Sequence, residues 1–118
     1  MRIASTTKHF TCLAFLLLCE DAKTSLDTPI GDILADLHPA SRGTTPRMLA
    51  GHMSGLRDAK DLVMQFNGNR FPISSEDLYS IYATVDDLNA PPGTQWRYNN
   101  GGYLLLTKAI ERLSGQSF

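Results

Sequence analysis

The sequence has few of the features that would assign it to a specialised class of protein. Its 118 residues include 11 Lys and Arg and 12 Asp and Glu, giving a formal net charge of -1. A chain without a basic excess gives no reason to expect nucleic acid or an anionic membrane as a partner. Metal-ligand spacing and a glycine-rich phosphate loop are both missing, so no metal or cofactor is expected. The length and the 42% apolar content indicate one globular domain.

Cysteine is scarce, with only Cys12 and Cys19. On one helix these two residues would lie roughly 10 Å apart along the axis. A disulfide needs Cα atoms within about 7 Å, so we do not expect the two cysteines to pair with each other. We expect both to be small buried apolar side chains, which leaves the redox compartment open.

The one long apolar run, residues 10–19, falls well short of the ~20 residues that span a bilayer. Because Arg2 and Lys8 precede it, a secretory signal peptide is an alternative interpretation. A lipoprotein cleavage site would want a small residue where Leu18 stands, directly before Cys19. We therefore do not find a convincing signal peptide here. The localisation stays open, with a cytoplasmic and a periplasmic or secreted protein as the alternatives.

Alternating strand patterns are also missing, and helical patterns dominate. Residues 10–19 are apolar nearly all round, which predicts a helix buried on every side. Further helices are predicted as one or two turns over residues 30–37, after Thr45-Pro46, and around residues 62–66. Another is predicted for residues 76–88 with Ser74 or Ser75 as its cap, and a last one from the Asn99-Asn100-Gly101-Gly102 loop to Gly115. A turn is predicted at Asn67-Gly68-Asn69. The fold class predicted for residues 1–118 is therefore mostly α.

The tetrad Ser5-Thr6-Thr7-Lys8 is the first candidate for chemistry. If Ser5 opens a helix, Lys8 lies three positions further on and shares its face. The Ser5 hydroxyl then lies at the positive end of the helix dipole. A serine becomes a good nucleophile when a partly desolvated lysine takes its proton. S-x-x-K is a known serine-nucleophile signature, although Ser and Lys are common and a chance match is the alternative.

A second candidate is Tyr98-Asn99-Asn100, in a loop between Pro91-Pro92-Gly93 and a predicted helix. A tyrosine hydroxyl can relay a proton, and an amide two residues on can hydrogen-bond a substrate carbonyl. The alternative is a Tyr ring in the core with two Asn residues capping a turn. His52 is either a general base or, as we prefer, a hydrogen-bonding strut beside the Ser54-Gly55 turn.

Taken in chain order, Ser5-Thr6-Thr7-Lys8, His52-Met53-Ser54-Gly55-Leu56, Pro91-Pro92-Gly93-Thr94 and Tyr98-Asn99-Asn100 resemble the penicillin-recognising serine hydrolases. That family includes class C β-lactamases, DD-peptidases, D-aminopeptidases and related esterases. The resemblance covers nearly the whole chain. Within the family, the sequence resembles the D-aminopeptidase-like members in particular.

The resemblance implies a catalytic role for Ser5, Lys8 and Tyr98. Ser5 would be the acylating nucleophile, Lys8 would receive its proton, and Tyr98 would shuttle protons as base and then acid. Asn100 would bind the amide or acyl side chain of the substrate, and the Ser5 backbone N–H would supply half of an oxyanion hole. His52 and Gly55 match a structural segment, in which Met53 replaces the more typical Thr.

The same resemblance implies a hydrolase that forms an acyl-enzyme on an amide, peptide, β-lactam or ester bond of a small-molecule or peptide substrate. The third family motif, His/Lys-x-Gly on a strand, is not found after Tyr98. We therefore expect residues 1–118 to be a partial domain, the helical central portion of a β-lactamase-like α/β (α+β) fold with most of the sheet missing. The alternative is a catalytically inactive truncated fragment whose exposed apolar surface invites self-association.

Overall fold

The computed structural model describes residues 4–67 and 72–118, and within these ranges helices are the only extended regular elements. A single 3-10 turn, Ala4–Thr6, leads into seven α-helices: α1 (Thr7–Glu20), α2 (Ile30–Ile33), α3 (Pro39–Arg42), α4 (Pro46–Ala50), α5 (Ala59–Asn67), α6 (Ser75–Ile81) and α7 (Asn100–Ser114). The strand-like contact in the described ranges is one isolated antiparallel bridge, between Leu56 and Leu88. The mostly helical fold class is confirmed.

Helix α7 is the centre of this fold, because it contacts α1, α2, α4, α5 and α6. The side chains that form its buried stripe are fully or almost fully removed from solvent: Leu105, Leu106, Ala109 and Ile110. Burying a leucine or isoleucine side chain stabilises a fold by about 1.5–3 kcal/mol. The apolar face predicted for this helix is therefore the main contribution to the core.

Both ends of α7 follow the predicted signals. Asn99 has extended backbone angles, and its side-chain oxygen accepts a hydrogen bond from the Gly102 N–H, which caps the helix. Gly115 ends the helix in the left-handed region, with φ 72°.

Helix α1 differs from its prediction, because it is buried along one side and not all round. Its buried residues are Thr11, Phe15 and Leu18, whereas four large apolar side chains are exposed: Phe10, Leu13, Leu16 and Leu17. The described part of the chain supplies packing partners, chiefly α7, to one side of α1. The two cysteines accordingly are half-buried and unpaired. No helix of the described part is long and apolar enough to cross a membrane.

Helix α6 is shorter than predicted, ending at Ile81 and not at Leu88. Ser74 opens it with a capping box to Asp77, as the sequence predicted. At its other end the Tyr82 carbonyl accepts a hydrogen bond of 2.8 Å from the His38 N–H, so this carbonyl is already paired where the helix stops.

The sequence predicted one or two helical turns over residues 30–37, and the structure has one, α2. Leu34 and Leu37, which follow it, are also buried. The predicted turn at Asn67-Gly68-Asn69 falls largely on residues 68–71, outside the described part of the chain.

Tyr82 ties three segments together through one buried hydroxyl. The side chain is 1% exposed, and its hydroxyl donates to the Arg57 carbonyl at 2.8 Å and accepts from the Ala59 N–H at 3.2 Å. Burial raises the pKa of this phenol, so it stays a neutral donor. A Cβ at Gly101 would lie 1.6 Å from that hydroxyl, which explains why α7 needs glycine there.

Gly55 forms the tight turn that positions the segment leading into the functional loop. Its φ is +69°, in the left-handed region, and its carbonyl accepts a 2.7 Å hydrogen bond from the Asn89 N–H. An added Cβ would lie 2.0 Å from the Ala90 carbonyl oxygen, which is backbone and not a flexible side chain. Both conformation and space therefore require glycine.

We expect Gly55→Ala to destabilise the fold by about 2–4 kcal/mol, from the strained φ together with the backbone clash. The free energy of unfolding is measured by urea denaturation, with circular dichroism as the signal. Gly43→Ala is the matched control, since an added Cβ at Gly43 meets nothing within 4 Å. Equal stability of the two variants would contradict the assignment of Gly55 as a required turn.

Candidate active site

The predicted catalytic residues meet where the first turn of α1 faces the loop that precedes α7. Ser5 Oγ lies 2.9 Å from the Tyr98 hydroxyl oxygen, and either hydroxyl can be the donor. The two residues are 93 positions apart in the chain, so the contact is made by the packing of α1 on α7. Ser5 stands in the 3-10 turn and not in α1 itself.

Lys8 joins the same cluster through a different partner. Its ammonium donates a 2.9 Å hydrogen bond to Asn100 Oδ1. It also lies 5.0 Å from the centre of the Tyr98 ring and 5.1 Å from that of Tyr103. A cation at this distance over an aromatic face is attracted by the ring quadrupole. Ser5, Lys8, Tyr98 and Asn100 are thus one connected group.

Tyr98 is 45% exposed, so it is not the buried core ring that was the alternative interpretation. The neighbouring Lys8, and then the Ser5 hydroxyl, lower the pKa of its phenol below the ordinary value. Both groups favour the phenolate, by charge and by hydrogen bonding. A tyrosine in this setting gives up its proton more readily than a free one.

His52 supports the loop. Its Nδ1 accepts a hydrogen bond of 3.2 Å from the Asn99 N–H, and its carbonyl accepts one of 2.8 Å from the Arg97 N–H. Its ring packs 4.5 Å from that of Tyr98 and 5.2 Å from that of Tyr103, centre to centre. Desolvation, and then the charge of Lys8, lower the pKa of His52. A neutral imidazole is what the acceptor role of Nδ1 requires.

The two asparagines of the loop divide the roles that the sequence left open. Asn99 is 3% exposed and does the capping, and its side-chain amide also donates a 2.7 Å hydrogen bond to the Leu56 carbonyl. Asn100 is exposed and turns its side-chain oxygen to Lys8. The loop thus combines a structural amide with one that faces the candidate site.

Asp58 is a site residue that sequence reasoning missed. Its carboxylate, 8% exposed, accepts hydrogen bonds from the Asn100 N–H at 2.6 Å and from the Lys60 N–H at 2.9 Å. An Asp directly before Ala59 is a helix N-cap signal, which would have placed it at the start of α5. Nothing in the local sequence indicates that its second oxygen reaches α7.

Tyr103 was missed as well. Its hydroxyl donates to the Ala50 carbonyl at 2.8 Å and lies 3.4 Å from Cys12 Sγ. Desolvation, and then the Cys12 thiol, raise the pKa of this phenol, in contrast to Tyr98. Tyr103 is therefore a neutral wall behind Lys8.

Backbone strain is concentrated near the site. Three non-glycine residues of the described part have positive φ, namely Ala4 (46°), Ala22 (55°) and His52 (58°). Such conformations cost of order 1–3 kcal/mol each and persist where the surrounding structure enforces them. Ala4 directly precedes Ser5, and His52 packs against Tyr98.

A small polar cavity of about 60 Å³ opens beside Tyr98. The side chains that line it include Arg57, Asp58, Asp61 and Arg97. Over residues 4–67 and 72–118 no three side chains of the metal-ligating types come together.

A serine hydroxyl, a phenol of lowered pKa and an ammonium thus lie together in this helical fold. Comparison with known proteins gives the family of the chain. The Beta-lactamase family model matches residues 1–118, and the chain belongs to that family. The resemblance inferred from the ordered motifs is thus confirmed.

Individual relatives agree with this assignment. The chain is 33% identical over 120 residues to the "Probable fimbrial assembly protein FimD, serogroup H1" of Dichelobacter nodosus, covering 99% of the chain and 30% of the relative. It is 32% identical over 124 residues to the D-aminopeptidase of Brucella ovis, covering 99% of the chain and 22% of the relative.

Among solved structures, the octameric penicillin-binding protein homologue from Pyrococcus abyssi superposes with a TM-score of 0.75 at 30% identity. The match covers 96% of this chain and 27% of that one. The chain therefore spans about a third or less of the length of these three proteins.

We expect stability to fall as the pH drops below about 6.5, because the unfolded chain protonates His52 at a higher pH than the folded chain does. His52→Asn should reduce this loss, since Asn tolerates positive φ and offers an oxygen to the Asn99 N–H. Urea melts at pH 8.0 and 5.5 measure the effect.

Melts at pH 8.0 also serve as the control for the substitution itself. If His52→Asn and the unsubstituted chain lose the same free energy of unfolding between pH 8.0 and 5.5, His52 is not the group responsible.

Proposed function

We propose that this chain carries the acylating half of a serine hydrolase, which cleaves an amide, peptide, β-lactam or ester bond through an acyl-enzyme. The observation that carries the proposal is the 2.9 Å contact between Ser5 Oγ and the Tyr98 hydroxyl, beside the Lys8 ammonium. This arrangement supplies a nucleophile, a proton acceptor and a charge that stabilises the acceptor's anion.

In acylation, the Tyr98 phenolate takes the proton of Ser5 as Ser5 Oγ attacks the substrate carbonyl carbon. Lys8 stabilises the phenolate before the transfer and lowers the pKa of Tyr98. Tyr98 then passes the same proton to the leaving group as the bond to the carbonyl carbon breaks. The product is a Ser5 ester and a released amine or alcohol.

In deacylation, Tyr98 takes a proton from water as the water oxygen attacks the ester carbonyl. The proton then returns to Ser5 Oγ as the ester bond breaks, and the acid product leaves. This assignment makes Tyr98 the direct acceptor of the Ser5 proton. Lys8, which the sequence predicted as that acceptor, has an electrostatic role instead. The hydrogen bond of Lys8 to Asn100, not to Ser5, supports that division.

Asn100 is proposed to bind the substrate, because its exposed side chain lies one hydrogen bond from Lys8. Its amide nitrogen remains a donor for a substrate carbonyl. The similarity to a D-aminopeptidase and to a penicillin-binding protein supports a peptide or β-lactam substrate. His52 and Gly55 are proposed as structural supports of the loop.

We expect a fluorescent penicillin or fluorophosphonate to label the folded chain covalently and Ser5→Ala to abolish the labelling. Mass spectrometry of the intact and digested protein locates the adduct. Ser117→Ala, a change at another exposed serine, is the control and should label fully. Unchanged labelling of Ser5→Ala, or none of the folded original chain, would sink the proposal.

Tyr98→Phe should slow labelling by about 10²–10⁴, the usual size of a lost general-base contribution. The ring that packs on His52 is kept, so the loop should stay in place. Tyr79→Phe is the matched control, because its hydroxyl binds Asp36 on another part of the surface. Equal rates for the two variants would remove Tyr98 from the mechanism.

We also propose that the exposed side of α1 mediates self-association with a second copy of the chain. Phe10, Leu13, Leu16 and Leu17 are each between 44% and 57% exposed and lie on one helix. Contiguous apolar surface of this kind marks association sites. That a penicillin-binding homologue is octameric is consistent with association in the family.

Light scattering after size exclusion should show the chain above monomer mass at micromolar concentration. Leu13→Lys combined with Leu17→Lys should shift it towards monomer, while the helix and its circular dichroism are kept. A monomeric original chain would refute self-association without touching the catalytic proposal.

A further inference from the structure

We propose that Asp58 is the positioning residue of the candidate site, holding Asn100 so that Lys8 is directed at Tyr98. The inference rests on the proposed function for its catalytic meaning. Its structural core is a chain of contacts that runs from a buried carboxylate to the proton-accepting phenol.

Both oxygens of Asp58 are fixed by backbone donors of different helices. Oδ1 accepts from the Lys60 N–H on the first turn of α5, and Oδ2 accepts from the Asn100 N–H on the first turn of α7. The second contact, at 2.6 Å, is short, as expected for a carboxylate acceptor. One buried side chain thus sets the distance between two helix starts.

The contact continues from α7 to α1. The same Asn100 whose N–H binds Asp58 accepts the Lys8 ammonium through its side-chain oxygen. Lys8 in turn lies 5.0 Å from the Tyr98 ring centre. A shift of Asn100 would therefore move the ammonium away from the phenol whose anion it stabilises.

Asp58 acts on Tyr98 in two opposed ways. Its negative charge disfavours the phenolate, whereas its hold on Asn100 keeps Lys8 in the position that favours it. Of these influences on the pKa of Tyr98, that of Lys8 is the largest and that of Asp58 the smallest. The positioning role requires that loss of this contact outweigh loss of the charge.

The charged and titratable groups around this pair come from several elements. Lys8 and His52 face Tyr98, Tyr103 lies behind Lys8, and the cavity beside Asp58 and Tyr98 is lined further by Arg57, Asp61 and Arg97. Asp61 stands one turn further along α5, is exposed, and lines the same cavity. It is a natural control for removal of one negative charge.

The test compares Asp58→Asn with Asp61→Asn by ¹³C NMR titration of the Tyr98 ring, assigned with Tyr98→Phe. This readout needs no substrate. We expect the pKa of Tyr98 to rise in Asp58→Asn and to stay unchanged in Asp61→Asn. A fall in Asp58→Asn would mean that Asp58 acts through its charge alone, and no change would mean that it only supports the fold. Either result overturns the proposal.

A second variant covers the case in which Asp58→Asn fails to fold. Asn100→Ala removes the side-chain oxygen that holds Lys8 and keeps the N–H that Asp58 accepts. We expect the pKa of Tyr98 to rise in Asn100→Ala. An unchanged pKa would overturn the proposal, because Asp58 could then not direct Lys8 through Asn100.

Labelling of Ser5 separates this inference from the proposed function. We expect Asp58→Asn to label roughly 10–100 times more slowly than Asp61→Asn, with a pH profile displaced to higher pH. If the original chain is not labelled, the proposed function fails while the titration still decides the role of Asp58. Full labelling of Asp58→Asn with an unshifted profile overturns the positioning role alone.

Discussion

The packing of α7 against five other helices is the constraint on which the rest of this structure depends. Its glycine pair allows close approach, so that Tyr82 and Leu49 reach the first turn of the helix. Because the candidate site lies at that same end, the packing that stabilises the core also fixes Asn99 and Asn100. Fold and site therefore share one set of contacts, and a change at Gly101 would disturb both.

The electrostatics of the site follow from one cation shared among several groups. Lys8 contacts Asn100 and two aromatic rings, so its position is fixed by three neighbours. Its charge lowers the pKa of Tyr98 and contributes to lowering that of His52. The same ammonium therefore favours the phenolate form of Tyr98 and the neutral form of the His52 imidazole. The buried carboxylate of Asp58 has a smaller and opposite effect on the pKa of Tyr98.

Local signals predicted the parts of the structure that local energetics determine. A cap at Ser74 or Ser75 and the stop at Gly115 were predicted from local signals, and the ordered motifs predicted that Ser5, Lys8, Tyr98 and Asn100 come together, as they do. The early end of α6 was not predicted, and the carbonyl that follows it is paired with the N–H of His38, which is distant in the sequence. The link from Asp58 to Asn100 joins residues 42 positions apart, and no periodicity encodes it. The exposed side of α1 depends likewise on which partners are present, and not on its own pattern.

The position of α7 in the chain has a consequence for synthesis. The helix against which five of the other six helices pack is the last of the seven to leave the ribosome. At about 5–20 residues per second, the hundred residues before it take roughly 5–20 s to make. During that interval Phe15 and Leu49 lack the partner that buries them. The nascent chain is thus a candidate client for chaperones that shield apolar segments until their late partner arrives.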